Sequence, residues 1–247
     1  METKKAKSIS MSPRQITGDK INKVEASSKS RWLIVWIYFV VAILALAALS
    51  LMVRGAGPLP IDLAASHLIQ SYQAGWFDVL MRAVSEPGYP PQVYVLVVWI
   101  LLVLFFTRLK WELVMEVFST VGIGVVGLAI KMFVDRPRAT ADLVNVMRVL
   151  DGGKQSFPAG HVQVYMAIFG FLCYVSLLRC KNLWVKAISL VFFGAMIALI
   201  GISRVYTGEH WLTDAIGGYL LGSIWLILTI ALYEWGRVRF GGETKTS

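Results

Sequence analysis

Ser203 to Asp214 reads Ser-Arg-Val-Tyr-Thr-Gly-Glu-His-Trp-Leu-Thr-Asp and lies between two long apolar runs. On a helix beginning near His210, Asp214 sits one turn further along the same face. Its carboxylate then holds one imidazole nitrogen and leaves the other to attack, which is how a histidine becomes a nucleophile. Arg204 ends the preceding apolar run, and its planar guanidinium suits a phosphate held by two parallel hydrogen bonds. A phosphoryl group is therefore the first substrate class these residues imply. Asp214 also stands one turn inside an apolar run, where an acid is costly and faces a functional interior.

Two more polar clusters precede this one. Lys131-Met132-Phe133-Val134-Asp135-Arg136-Pro137-Arg138-Ala139 carries basic groups at both ends of an eight-residue step. Phe157-Pro158-Ala159-Gly160-His161 opens the next apolar run. There Pro158 fixes a turn, Gly160 lets backbone approach a ligand, and the amides of Ala159 and its neighbours at the positive end of a helix make a phosphate cradle. His161, in the first turn, is placed to protonate a leaving oxygen.

The elements that must position these clusters are membrane helices. At 57% hydrophobic and 16% charged, the 247 residues are too apolar for a water-soluble domain. The net charge of +9 resides in a basic tail and in short loops, so the expected partners are anionic membrane lipids and not nucleic acid. Cys173 and Cys180 are too far apart on one helix for a disulfide. The expected class is an all-α integral membrane protein with six transmembrane helices: Trp32–Val53, Val93–Thr107, Trp111–Val134, Val162–Leu178, Leu183–Ile202 and Leu212–Trp235. Residues 1–31 read as a flexible cytoplasmic tail, 32–236 as the membrane domain and 237–247 as a second cytoplasmic tail.

Between the first two spans, Asp62 to Gly88 reads as short interfacial helices, with His67 at the surface. Glu112 and Glu116 suit the positive end of the third span's dipole. Gly122, Gly124, Gly127, Gly218 and Gly222 suit close helix packing. Sixteen of the 24 lysines and arginines fall on the side of the amino terminus, which places both termini in the cytoplasm and all three clusters at the opposite face of a bacterial inner membrane.

Taken together, the clusters resemble the type 2 phosphatidic acid phosphatase family, the lipid phosphate phosphatases. The family pattern is Lys, six residues, Arg-Pro; then Pro-Ser-Gly-His; then Ser-Arg, five residues, His, three residues, Asp. Lys131 and Arg138, then Pro158, Gly160 and His161, then Ser203, Arg204, His210 and Asp214 fall on it. Two positions depart. Ala139 replaces the proline while Arg136-Pro137 precedes it, so spacing favours Arg138 and leaves Arg136 as the alternative ligand. Ala159 replaces the serine, with Ser156 a candidate substitute.

The resemblance implies His210 as nucleophile oriented by Asp214, His161 as acid, and Lys131, Arg138, Arg204, Ser203 and the Ala159-Gly160 backbone around the phosphate. It also implies no cofactor and no metal. The implied substrate is a lipid phosphate, with a polyprenyl diphosphate first because Arg148 and Lys154 add charge for a second phosphate. Phosphatidylglycerol phosphate, phosphatidic acid and lipid A phosphates follow, and a lipid phosphotransferase would use the same residues. An anion channel or transporter is a remote alternative, since it requires charge at mid-membrane and paired broken helices. Oligomeric state is not legible in the sequence.

Overall fold

The computed structural model describes residues 13–148 and 155–240. Lys154 and the outer parts of both tails lie outside the described residues. Eight α-helices follow one another: α1 (Pro13–Val53), α2 (Pro60–Gln70), α3 (Gly75–Ser85), α4 (Gln92–Phe106), α5 (Lys110–Val134), α6 (Gly160–Arg179), α7 (Leu183–Tyr206) and α8 (Leu212–Phe240), with a 3-10 turn at Glu86–Gly88. The protein is an all-helical membrane protein. The chain divides after Val41 into two units, of which the second, from Ala42 onward, contains every residue of the three clusters. The segment expected to be an irregular tail is helical from Pro13, a residue that is preorganised for a first helical position.

Five helices are long and apolar enough to cross a membrane. With 15 residues, α4 is too short to do so alone. It passes the same test only together with α3 and the 3-10 turn, as a pair bent by 68°. Within the second unit α6 is the central helix, packed against α5, α7 and α8. It is apolar on all sides and buries Val162, Tyr165, Ile168, Phe169, Phe171 and Leu172, as a helix surrounded by others must.

The packing glycines act as their spacing suggests, with one exception. A Cβ at Gly222 would fall 2.6 Å from the Met166 side chain, and one at Gly218 would fall 2.9 Å from the Ala159 carbonyl and Val162, so α8 lies directly on α6. Gly122 accommodates Trp225 and Gly127 accommodates Gln163, whereas nothing lies within 4 Å of a Cβ at Gly124.

Charged residues on the outer elements are used differently from the sequence expectation. Glu112 is buried, accepting from Arg179 at 2.7 Å and from the Tyr233 hydroxyl at 2.8 Å. It ties α5 to the far ends of α6 and α8 and does not simply face a helix dipole. Asp62, expected on an interfacial surface, is wholly buried between α2 and α8. Ser66, Met81, Val84 and Ser85 are also buried where α2 and α3 pack on α7 and α8, while Ile61, Leu68, Trp76 and Val79 remain exposed on the other face. His67 is exposed, as expected, and contacts the Leu143 carbonyl at 3.1 Å.

Candidate active site

Three chain breaks assemble the site. At the end of α5, Asp135 adopts the left-handed conformation (φ 46°), which its short polar side chain tolerates, and the chain turns at once so that Arg136 enters the interior. The returning strand is zipped to this turn: Ser156 N–H donates to the Arg136 carbonyl at 2.8 Å, and Gln155 Nε2 donates to Asp135 at 3.1 Å. After α7, Gly208 takes φ +68°, and a Cβ there would lie 2.0 Å from the Asn145 carbonyl oxygen, so only glycine fits. Gln70 pins the same loop from α2 through Asn145.

His210 does not lie on a helix; α8 begins two residues later, at Leu212. Asp214 sits in the first turn of α8 and folds back to accept the Trp211 amide at 2.9 Å, which satisfies a donor no helical carbonyl reaches. The same oxygen stands 3.5 Å from His210 Nδ1 and accepts from the Ser156 hydroxyl. Ser156 Oγ is itself 3.4 Å from Nδ1. Asp214 and Ser156 thus face the Nδ1 side of the imidazole, and Nε2 lies on the opposite edge of the ring. This answers one expectation negatively: the Ser156 hydroxyl backs the histidine and does not stand in for a phosphate-binding serine at position 159.

The other oxygen of Asp214 accepts Arg136 Nη1 at 2.6 Å. Arg136 Nη2 donates to Asp62 at 2.6 Å, and Thr213 donates to Asp62 through both its amide (2.9 Å) and its hydroxyl (2.8 Å). All three charged side chains are fully buried. Arg136 is engaged by Asp214 and Asp62, while Arg138 places its Nη1 3.4 Å from the Glu209 carbonyl. Burial first, and the Arg204 charge second, lower Arg138 below the usual guanidinium range.

Arg204 ends α7, fully buried. Its Nη1 donates to Tyr89 Oη (2.7 Å) and Ser85 Oγ (3.1 Å), its Nη2 to Glu209, and its Nε has no partner among the described residues. Lys131, on the last turn of α5, reaches the carbonyls of Gln155 and Ser156 at 3.4 and 3.5 Å. Its Cε lies 4.0 Å from where a Gly160 Cβ would be, so Gly160 keeps the space above it open. His161 sits in the first turn of α6, its ring 4.6 Å from that of Tyr89 and its buried Nε2 without a hydrogen-bond partner among the described residues. It is within electrostatic reach of Arg204, His210, Arg138 and Lys131.

Two expected phosphate contacts are occupied otherwise. The Ala159 amide donates to the Asp214 carbonyl at 3.0 Å, fixing α6 to α8. The Ser203 hydroxyl is turned to α3, donating to the Met81 carbonyl at 2.5 Å and pairing with Ser85 Oγ at 2.5 Å. The amides of Gly160, His161 and Val162 precede the first intrahelical bond, made by Gln163 to the Ala159 carbonyl, and form the helix-start cradle.

Burial dominates the protonation of His210 and lowers it to about 3, against the opposing pull of Asp214. Burial thus favours the neutral imidazole at physiological pH. Because its folded value lies below the ordinary 6.5, its contribution to stability is complete above pH 6.5 and is lost as pH falls toward 3. Between pH 7.5 and 5 the native chain is expected to lose about 2 kcal/mol more than the His210→Gln variant. Melting temperatures in detergent at the two pH values check this, and parallel declines would refute it.

Residues 112–237 match the PAP2 superfamily. Over 157 residues the chain is 29% identical to phosphatidylglycerophosphatase B of Bacillus subtilis, a match that covers 62% of this chain and 73% of that protein. Its fold matches the crystal structure of a transmembrane PAP2 type phosphatidylglycerolphosphate phosphatase from Bacillus subtilis with TM-score 0.67 at 22% identity, over 80% of this chain and 96% of that one. Aquifex aeolicus LpxE matches with TM-score 0.54 at 24% identity, over 70% and 96% of the two chains. The chain belongs to the PAP2 superfamily. It is a lipid phosphatase of that type.

Proposed function

We propose that this chain removes the terminal phosphate of a membrane lipid through a phosphohistidine, with phosphatidylglycerol phosphate as its first substrate. One observation carries this reading: a neutral, buried His210, with Asp214 at Nδ1, stands among Lys131, Arg138, Arg204 and His161. His210 Nε2 attacks phosphorus in line as the bond to the lipid oxygen breaks. The three cations meet the charge on the phosphoryl oxygens. His161 Nε2 gives its proton to the departing oxygen, since the entering phosphate favours the protonated imidazole. Water then attacks the phosphorus–nitrogen bond, His161 takes its proton, and inorganic phosphate leaves.

The choice of lipid rests on the Bacillus relative and on the layout of the mouth. A polar cavity of about 90 Å³ between Arg82, Ser85, Tyr89, Arg148 and Glu209 shares Glu86 with an apolar groove of about 560 Å³ bounded by Ala83, Pro87, Leu96 and Trp99. Such a junction suits an amphiphile. A polyprenyl diphosphate is the second reading, favoured by a cavity of about 270 Å³ lined by both Arg138 and Arg148. Arg148 is partly engaged there, 3.8 Å from Glu86 and stacked on Tyr89 at 4.2 Å.

The reading places six spans in a bacterial inner membrane, counting the bent α3–α4 pair as one, with α2 and the start of α3 along the boundary. Both termini are cytoplasmic and the site faces outward, as the lysine and arginine distribution supports.

The test is phosphate release from a detergent-dispersed panel of lipid phosphates with excess chelator. Release is expected to persist under chelation and to be fastest from phosphatidylglycerol phosphate. Faster release from a polyprenyl diphosphate selects the second reading. Release only after a lipid acceptor is supplied makes the enzyme a phosphotransferase.

A further inference from the structure

Glu209, the residue before the nucleophile, is an acid buried beside a phosphate-binding arginine. Its carboxylate accepts from Arg204 Nη2 with one oxygen and from the Tyr89 hydroxyl with the other. Tyr89 Oη in turn accepts from Arg204 Nη1 at 2.7 Å, which closes a ring of guanidinium, phenol and carboxylate. Burial pushes the Tyr89 phenol up to about 12, so it keeps the proton it donates to Glu209. The main chain of Glu209 serves the same cluster: its carbonyl accepts Arg138 Nη1 at 3.4 Å and its amide donates to the Arg204 carbonyl at 3.2 Å.

By charge alone this carboxylate weakens anion binding, because it cancels a cation the phosphate needs. Geometry supplies the compensation. A guanidinium has five N–H donors in a fixed plane. Ser85, Tyr89 and Glu209 take three of them, and two remain, one of which is the buried, unpartnered Nε–H. Two remaining donors on one planar group suit two oxygens of a phosphate.

We propose that Glu209 is the positioning residue of the phosphate clamp: with Tyr89 it fixes the plane of Arg204 so that the Nε side of the guanidinium is presented to the phosphoryl group. The proposal rests on the reading that Arg204 binds that group. The same carboxylate, through Tyr89, borders the ring of His161, so the clamp and the proton donor share one support.

Inorganic phosphate is the probe, because its competitive inhibition constant reads the clamp without the chemical step. In Glu209→Gln, which keeps the length but not the charge, that constant is expected to rise about tenfold. Glu209→Asp, too short to span Arg204 and Tyr89 together, is expected to fall between the two. In an Arg204→Lys background, which has no planar fork to orient, Glu209→Gln is expected to change it less than about twofold.

A tighter phosphate in Glu209→Gln overturns the proposal and makes Glu209 a competitor of the substrate. An equal rise in both backgrounds overturns it as well, because Glu209 then acts independently of Arg204. If Glu209→Gln does not fold, Tyr89→Phe removes the hydroxyl that closes the ring, and an unchanged constant there refutes the proposal. No inhibition of the native chain by phosphate, with lipid turnover intact, sinks the phosphate-site reading itself along with the proposal.

Discussion

His210→Ala is expected to lower phosphate release by about 10⁴-fold or more, because in the proposed mechanism it removes the only group that bonds to phosphorus. Binding of the lipid phosphate is expected to change far less, since Lys131, Arg138 and Arg204 are untouched. Their anchors, the Gln155 and Ser156 carbonyls, the Glu209 carbonyl and the Tyr89–Ser85–Glu209 set, do not involve the imidazole. The accompanying measurement is rapid quench with substrate labelled in its terminal phosphate. Label retained on the native protein in alkali, released in acid and absent from the variant identifies the phosphorus–nitrogen bond. Turnover in His210→Ala within about tenfold of native would remove His210 from the mechanism and direct attention to His161.

The second large effect concerns Arg136, whose guanidinium is buried between two acids. Its guanidinium is shared by Asp62 and Asp214 at 2.6 Å each, and none of the three is exposed. Arg136→Met preserves most of the volume but leaves two buried carboxylates without their cation. A loss of about 3–5 kcal/mol is expected, the cost of breaking a buried pair from one side. Adding Asp62→Asn removes one of the stranded charges and is expected to restore part of that loss. Thermal melting in detergent measures both variants. Activity of the double variant gives the separate information that Asp214 still holds His210. A single variant that melts with the native chain would show that water or local rearrangement supplies what Arg136 gives.

The parts of this site legible in the sequence are those whose partners are close in the chain. Arg204, His210 and Asp214 fall within one short stretch, and Lys131 with Arg138 within another, so residue type and spacing suffice to nominate them. The rest comes from contacts between distant segments. Asp62 reaches Arg136 and Thr213 across 74 and 151 residues. Ser85 and Tyr89 reach Arg204 across 119 and 115. Asp62 and Ser85 are supplied by α2 and α3, which are amphipathic, and the same periodicity describes a helix lying on lipid or one packed on other helices; Tyr89 comes from the turn that follows. Asp62 had one local signal, its position in the first turn behind Pro60, where it accepts the Leu59 amide at 3.0 Å. Burial of Glu209 had none, since an acid three residues before a helix is ordinarily solvated. Ser203 shows the opposite case: it stands beside Arg204 in the chain, but on a helix neighbouring side chains diverge, and its hydroxyl is turned to α3.

The hydrogen bond from the Ala159 amide to the Asp214 carbonyl separates the spacings that are free from those that are fixed. It pins the first turn of α6 to the first turn of α8 at one residue each, with Gly218 permitting the approach. Insertions or deletions in the turn between Arg179 and Leu183 change the path from one histidine-bearing element to the other without shifting that pin. A single residue added between Pro158 and His161 would rotate His161 out of register by about 100° on the helical repeat, and one added between His210 and Asp214 would displace the carboxylate that accepts the Trp211 amide and faces His210 Nδ1. Insertions are therefore expected to be tolerated in the connections between the clusters and not within them, which activity and melting of insertion variants would measure.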